Sequence, residues 1–563
     1  VTHKPDADPY LLPITSLLTG LGMLSIWRLL PYFGMRQAAW LLLSGLVIAL
    51  GIRLGAWLNL LRRFKYVFLT VGIFLTTLTL IFGTNPEGSG LNLWLGCCGI
   101  YLQPSEPLKL LFLIYLSAYL ADFVPLKFRL VILITPTVII TGLAILLLLV
   151  QRDLGTASIF IFLYSIMLYL ASGRKRLLII SLAGLLLAGI AGYYLFDVVR
   201  LRVDGWLNPW LDPSGRSFQI IQSLMAIANG GVGGRGPGMG NPGLVPVSIS
   251  DFIYTAIAEE TGLAGTIALL SLYVLFAARG MLTALRASDN FRRLLAAGLT
   301  LYIGAQSILI IGGNTRLLPL TGVTLPFVSY GGSSLLTSFL ALGLILVISN
   351  RGDLEPAPLT NPQPFQVTAA LMGLGFLALS LTTGWWALWR SNELLGRTDN
   401  ARRTIADRYV RRGSLLDRNE IHINLTEGVS GSYSRIYAYP DLSSILGYTN
   451  PTYGQAGLEA SLDDYLRGLR GNPASLVWID HLLYGQPPPG LDIRLTIDLE
   501  LQDRADALLS GIPGAVVLLN AETGEVLAIA SHPTFDANLL DQTGDALLAE
   551  EESPLLNRAA QAA

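Results

Sequence analysis

What most constrains this chain is a succession of apolar runs, near 10–30, 38–58, 65–83, 107–124, 129–150, 154–172, 176–197, 254–278, 294–313, 333–350 and 367–389. A hydrocarbon layer of ~30 Å takes ~20 apolar residues to cross as a helix, and lipid offers no partner to an unpaired backbone group. Each run is therefore expected to be a transmembrane helix. Ten precede the stretch EPAPLTNPQPF, whose Pro356, Pro358, Pro362 and Pro364 prevent one straight helix from running through it, and an eleventh follows. At 52% hydrophobic and 14% charged, the 563-residue chain is too apolar for a soluble protein and too long for one domain. Residues beyond Arg390 nonetheless read as ordinary soluble sequence. The expected fold class is a polytopic α-helical membrane protein, a bundle of about ten spans plus one anchor span, followed by an α+β extracytoplasmic domain.

Orientation follows from the short loops. Arg62, Arg63 and Lys65, then Lys127 and Arg129, then Arg174, Lys175 and Arg176, then Arg279, Arg286, Arg292 and Arg293 all fall on the side of the N-terminus, which the positive-inside rule makes cytoplasmic. By parity the long polar loop of about 198–253 lies outside, as does everything after the eleventh span. No cleavable signal peptide is expected, because the acid-bearing start VTHKPDADPY runs into a span that stays. Cys97 and Cys98 are neighbours, a poor geometry for a disulfide, and read as packing residues. His3, His422, His481 and His532 offer no metal-ligand spacing, and nothing points to nucleic acid.

Four polar islands interrupt the spans: NLWLGCCGIYLQPSEPLK at 92–109, QRDLGT at 151–156, the long loop ending in SDFIYTAIAEETGLAG, and PLTGVTLPFVSYGGSS at 319–334. Charge is expensive within a bilayer, by ~2.5–3.5 kcal/mol even on lenient scales, so each island has a functional and a structural reading. Glu106 and Lys109, at i and i+3, can bind a substrate or neutralise each other. Asp153 can do the same with Arg152. Asp251 is either an outward-facing base or the N-cap of the helix FIYTAIAEETG. Glu259 and Glu260 lie inside an apolar helix, where a water-filled cleft would relieve them. SYGGSS, with Ser329, is a contact or a close-packing and helix-breaking element.

In this order over ten spans, QPSE-x-x-K, DLGT, DFI…EE-x-G and PFVSYGGSS resemble the SEDS family, the RodA/FtsW type of peptidoglycan polymerase, over about residues 10 to 350. One departure is Leu91-Asn92-Leu93, where the family usually has an arginine just before the tryptophan matching Trp94, so no substrate-binding arginine is assigned there. The resemblance implies an inverting glycosyltransferase that polymerises lipid II into glycan strands at the outer face of the bacterial cytoplasmic membrane, with Asp251 catalytic. The chemistry fits. A carboxylate can take the proton from the acceptor sugar's hydroxyl as it attacks the anomeric carbon, contributing ~10²–10⁴-fold. The departing lipid diphosphate calls for positive charge, from Arg200, Arg202, Arg216 and Arg235 or from a divalent cation such as Mg or Mn. Glycines between 230 and 243 would let backbone amides approach phosphate oxygens. Glu106, Lys109, Asp153, Arg200, Arg202, Arg216, Glu259, Glu260 and Ser329 are the candidate substrate-binding residues.

The soluble part carries a second resemblance. Arg412-Gly413-Ser414 to Asp417-Arg418-Asn419, then LDIRLTIDLELQ (491–502) and GAVVLLNAETGEVLAIASHPTFDAN (514–538), are similar to class B penicillin-binding proteins. Transpeptidases of that kind need Ser-x-x-Lys and Lys-Thr-Gly, yet the last lysine is Lys175, so neither motif can occur in the soluble part, and Ser172-Gly173-Arg174-Lys175, on a cytoplasmic loop, matches the first by chance. The expected organisation is a SEDS polymerase domain (1–350), a Pro-rich linker (351–366), an anchor span (367–389), a pedestal (390–510) and a truncated start of a transpeptidase domain (511–563). The expected partners are lipid II and the nascent glycan strand, membrane lipid, the fused pedestal acting as activator in cis, and other cell-wall synthesis proteins. Two rival functions share these features: a lipid II flippase, and a non-enzymatic cell-wall scaffold.

Overall fold

The structure is a computed structural model. It describes all residues except 1–6, 54–56, 86–91, 98–99, 124–129, 214, 216, 351–354, 360, 396, 398–399, 401, 403–407, 451, 474, 476–487 and 562–563. Lys127, Arg129, Arg216, Cys98, His3 and His481 thus lie outside the described residues. The chain divides into two compact units, Val1–Ser391 and Asn392–Ala563.

In the first unit every apolar run is helical: α1 (Leu11–Leu29), α2 (Pro31–Arg53), α3 (Trp57–Arg63), α4 (Lys65–Phe82), α5 (Ser105–Phe123), α6 (Leu130–Val150), α7 (Leu154–Ser172), α8 (Lys175–Leu195), α9 (Asp197–Leu207), α10 (Phe218–Gly230), α11 (Ile253–Leu285), α12 (Asn290–Asn314), α13 (Gly332–Ser349) and α14 (Gln363–Gly384). Nine stretches among the described residues are long and apolar enough to cross a membrane. The shorter α3, α9 and α10 lie between the spans. The bundle is built on α12, buried along nearly its whole length, with α5, α7, α11 and α13 around it. By contrast α8 buries no residue and packs mainly on α7 and α9, the pattern of a helix whose surface faces lipid.

Two helices depart from regularity. Residue Gly262 breaks α11 at φ 66, ψ −165, a region open to glycine, so a short helix precedes the long membrane helix where the sequence reads as one continuous span. After α14 a π-helical turn, Trp385–Trp389, continues the chain. The loop after α4 forms a hairpin of β1 (Leu95–Cys97) and β2 (Ile100–Leu102), pairing Leu95 with Leu102.

The second unit mixes helices with short strands: β3 (Leu415–Leu416), β4 (Asn424–Glu427), β5 (Ser434–Tyr437), β6 (Thr449–Asn450), β7 (Gly454–Gln455), β8 (Ile493–Arg494), β9 (Gly514–Leu519) and β10 (Val526–His532). The β3–β8 pair is parallel, while β4–β5, β6–β7 and β9–β10 are antiparallel. Leu415, Ile423, Tyr437, Leu446, Leu466 and Leu540 form its core. Beside them lies a buried ionic knot. Glu459 accepts Arg412 at 2.9 Å, Arg435 at 2.7 Å and Asn424 at 2.7 Å, and Arg412 also holds Asp463 at 2.6 Å.

Candidate active site

The long loop leaves α10, passes the glycine-rich segment and a tight turn at Pro242–Leu244, and reaches Asp251 two residues before α11. Asp251 is not the helix N-cap: Phe252 holds that position, without a side-chain cap. Instead the turn is fastened through its backbone from two distant segments. The Tyr330 amide donates to the Ile249 carbonyl at 2.9 Å, the Ser329 hydroxyl to the Ser250 carbonyl at 2.6 Å, and the Asn314 amide group to the Asp251 carbonyl at 2.9 Å. These clamps engage the main chain and not the carboxylate. Its Oδ1 accepts the Ser250 hydroxyl at 3.1 Å.

The other oxygen faces Arg202. Asp251 Oδ2 and a terminal nitrogen of Arg202 each lie 3.5 Å from where a Cβ on Gly322 would stand, so glycine there keeps the space between them open. Arg202, on α9, is itself held by the Thr321 carbonyl at 3.1 Å. Burial pushes its guanidinium below its ordinary range, while Asp251 and then Asp153 pull it back up. Among the loop's described cations, Arg202 is placed beside Asp251. Arg200 turns instead to Asp197 at 3.8 Å and to the Tyr193 ring.

The islands meet. A Cβ on Gly155 of QRDLGT would collide with the Thr321 carbonyl, so this glycine permits close contact with PLTGVT. Asp153 caps α7 by accepting the Thr156 amide at 3.1 Å, and it accepts the Ser105 hydroxyl at 3.3 Å. It therefore does not pair with Arg152, whose left-handed backbone at φ 59 accompanies an exposed side chain. Burial pushes the Asp153 carboxyl above its ordinary range, against Thr156 and Lys109. Behind it the Glu106–Lys109 pair is fully buried at 2.7 Å. Lys109 also donates to Gln306 Oε1 at 2.8 Å, Gln306 donates to the Thr324 carbonyl at 2.8 Å, and the Thr324 hydroxyl donates to Ser334 at 2.6 Å. One polar chain thus runs from QPSE to PFVSYGGSS through the core.

Several amides of the glycine segment bond to the α11 segment. The amides of Arg235 and Gly236 donate to the Glu259 and Glu260 carbonyls, both at 3.0 Å, and those of Gly238 and Asn241 to the Glu260 and Glu259 carboxylates at 3.3 and 3.1 Å. In return Leu263 and Ala264 donate to Gly231 and Val232. The break at Gly262 strips backbone groups of their helical partners, and this segment supplies them, the condition on which irregular backbone survives within a membrane protein. Glu259, fully buried, also accepts Asn229 at 2.9 Å, and Glu260 pairs with Arg28 at 2.6 Å. Both glutamates thus have protein donors. Ser329 is likewise engaged on both sides, accepting the Leu325 amide at 2.8 Å while donating to Ser250.

Sequence reasoning missed Asn314 and Gln306. Both are amides in the apolar second half of α12, and that setting is itself the signal, since an intramembrane polar group implies a partner. For a divalent cation, no group of three or more His, Cys, Asp or Glu side chains converges among the described residues. The described donors do not form a dedicated protein cage, and no step is assigned to a metal.

A polytopic helical bundle whose polar islands meet through hydrogen bonds and close glycine contacts is a multi-pass membrane protein. The family model described as cell cycle protein, FTSW_RODA_SPOVE, matches residues 16–353, and the chain belongs to that family. Among its relatives, the peptidoglycan glycosyltransferase RodA of Mycobacterium tuberculosis (strain ATCC 25618 / H37Rv) is 35% identical over 394 residues, covering 65% of this chain and 82% of that protein. A solved structure described as "Structural coordination of polymerization and crosslinking by a peptidoglycan synthase complex" matches at TM-score 0.53 and 30% identity, over 61% of this chain and 97% of that one. The imipenem acyl-enzyme complex of penicillin-binding protein A from M. tuberculosis matches over 27% of this chain and 38% of that one, with 25% identity and a TM-score of 0.25.

Proposed function

We propose that this protein is a peptidoglycan glycosyltransferase that polymerises lipid II at the outer face of the cytoplasmic membrane, with Asp251 as general base. The observation that carries this reading is the Asp251 turn, pinned by its backbone at Ile249, Ser250 and Asp251 while Oδ2 faces Arg202 across Gly322. In the proposed step the acceptor hydroxyl oxygen forms a bond to the anomeric carbon of the donor. The bond from that carbon to the diphosphate oxygen breaks with its electron pair, and the hydroxyl proton passes to Asp251. Arg202 stabilises the charge gathering on the diphosphate. The backbone clamps keep the base in place during the transfer, which supports a rate that does not wait on reorganisation.

The second unit, on its RGSLLDRN and AETGEVLAIAS motifs, is proposed as the pedestal and transpeptidase start of a class B penicillin-binding protein, lying outside the membrane and activating the polymerase in cis. The test is polymerisation of lipid II by the purified chain in detergent, where sidedness is lost and a flippase or scaffold yields no polymer. Glycan strands from the wild-type chain and none from Asp251→Asn are expected. An Asn variant that polymerises at the wild-type rate removes Asp251 as the base.

A further inference from the structure

The matched family domain ends at residue 353, and α14, which begins at Gln363, lies beyond it. Yet α14 and the turn after it reach the Asp251 turn at two points. The Trp386 indole N–H donates to the Thr315 carbonyl at 2.8 Å. Thr315 follows Asn314, whose side chain holds the Asp251 carbonyl and whose own carbonyl accepts the Ser223 hydroxyl at 2.8 Å. The second point is Tyr254, three residues past Asp251, whose hydroxyl shares a hydrogen bond with Thr383 at 2.7 Å. All five groups are buried: Trp386 is 7% exposed, Thr383 1%, and Asn314, Thr315 and Tyr254 0%. Where water cannot substitute, an unmade hydrogen bond is costly and the geometry is correspondingly stiff.

Thr383 and Trp386 stand at i and i+3 and so share one helix face. Between them the backbone passes into the π-helical turn, closed by the Arg390 amide on the Trp385 carbonyl at 3.0 Å. Such turns recur at functional sites because the added residue redirects the side chains that follow. The same turn carries an internal control: Trp385 and Trp389 stack on each other at 5.8 Å, 47% and 75% exposed, away from this relay.

We infer that Trp386 and Thr383 are positioning residues for the proposed transfer, holding the base through Thr315, Asn314 and Tyr254, so that α14 and the turn after it complete the active site as well as anchoring the second unit. This inference rests on the glycosyltransferase reading. A displacement of ~1 Å in a catalytic group can cost ~100-fold in rate, so losing one buried support is expected to lower kcat by ~10–100-fold.

The test uses the full chain in detergent with Trp386→Phe, which keeps the ring and loses the N–H, and with Thr383→Val as a second variant. Trp389→Phe is the control. Each relay variant is expected to lower kcat for lipid II with little change in KM, and to speed amide hydrogen exchange across residues 246–256; the control should do neither. Wild-type kcat with unchanged exchange over 246–256 in both relay variants overturns the inference. If the wild-type chain makes no polymer, the glycosyltransferase reading fails, and the exchange measurement alone decides whether Trp386 and Thr383 hold the turn.

Discussion

Ser329 donates its hydroxyl to the carbonyl of Ser250, the residue before Asp251, at 2.6 Å, across 79 positions of sequence. The same oxygen accepts the Leu325 amide, and the neighbouring Tyr330 amide takes the Ile249 carbonyl. The SYGGSS segment is thereby a clamp on the proposed base, and what it clamps is the main chain, so the carboxylate's chemistry and its support are carried by different atoms.

Replacing Asp251 with asparagine should therefore remove the base without loosening the turn, because the main-chain clamps do not involve the carboxylate. Glycan polymerisation is expected to fall by ~10²–10⁴-fold, with thermal stability in detergent unchanged. A gel of polymer products beside a melting curve reads both; a large drop in melting temperature would assign Asp251 a structural role instead.

Glu259→Ala should loosen the glycine segment. It leaves the Asn229 side chain and the Asn241 amide without their acceptor, a loss of ~1–3 kcal/mol for a buried group. Hydrogen exchange over 234–241 should quicken first. Gly262→Ala should be harsher, since its φ of 66 is strained for alanine and the added carbon would strike the backbone of Val232 and Gly234.

In the second unit, Glu459→Leu leaves Arg412 and Arg435 buried without their shared carboxylate, and ~3–5 kcal/mol of stability should go with it. The acid dependence has a defined sign. Burial raises the Asp463 pKa, but Arg412 and Arg467 outweigh it and hold the carboxyl below its ordinary value. Asp463 therefore contributes stability above the unfolded carboxylate range of about 3.9, lost as pH falls through its lower folded value. Asp506 acts oppositely, since burial raises its pKa against Gln502 and His532, and its contribution fades as pH rises through that raised value. Hydrogen exchange of peptides from 392–563 in the whole chain, followed against pH, should show Asp463→Asn flattening the acid limb. An unaltered acid limb would remove Asp463 from the account.

Deleting residues 392–563 should lower polymerase turnover while leaving α14, and hence Trp386 and Thr383, in place. An activating coupling of ~1–3 kcal/mol would read as roughly 5–150-fold. Equal turnover with and without the second unit, at matched lipid content, would make that unit a tether and not an activator.

A fluorescent penicillin should not acylate this 563-residue chain. No lysine follows Lys175, so the second unit contains no Ser-x-x-Lys to activate a serine. Covalent, saturable labelling would point to a nucleophile of another kind.

The apolar helices were legible in the sequence because a bilayer imposes one length and one polarity on every crossing, but their number was not: eleven spans were expected, and nine stretches among the described residues are long and apolar enough to cross. Asp251, Glu106, Lys109 and Asp153 were legible for the complementary reason, that ionisable groups in so apolar a chain are too costly to be incidental. The break at Gly262 was not, because TGLAG has the composition of an apolar helix and only a positive φ distinguishes it. Nor was the direction of the glycine amides: glycine permits a close approach, but whether the approaching group is a ligand or Glu259 depends on which segment packs there.

Taken alone, then, the residues determined where the apolar runs fall, which side chains are too polar to be lipid-facing, and that no Ser-x-x-Lys lies in the second unit. Tertiary structure alone decided that Arg202, and not Arg200, stands beside Asp251, that Asn314 and Gln306 belong to the site, and that the four polar islands are one place. Length and polarity act residue by residue and leave a local mark. Hydrogen-bond partners separated by tens to hundreds of positions leave none, since each donor is locally compatible with many acceptors until packing removes all but one.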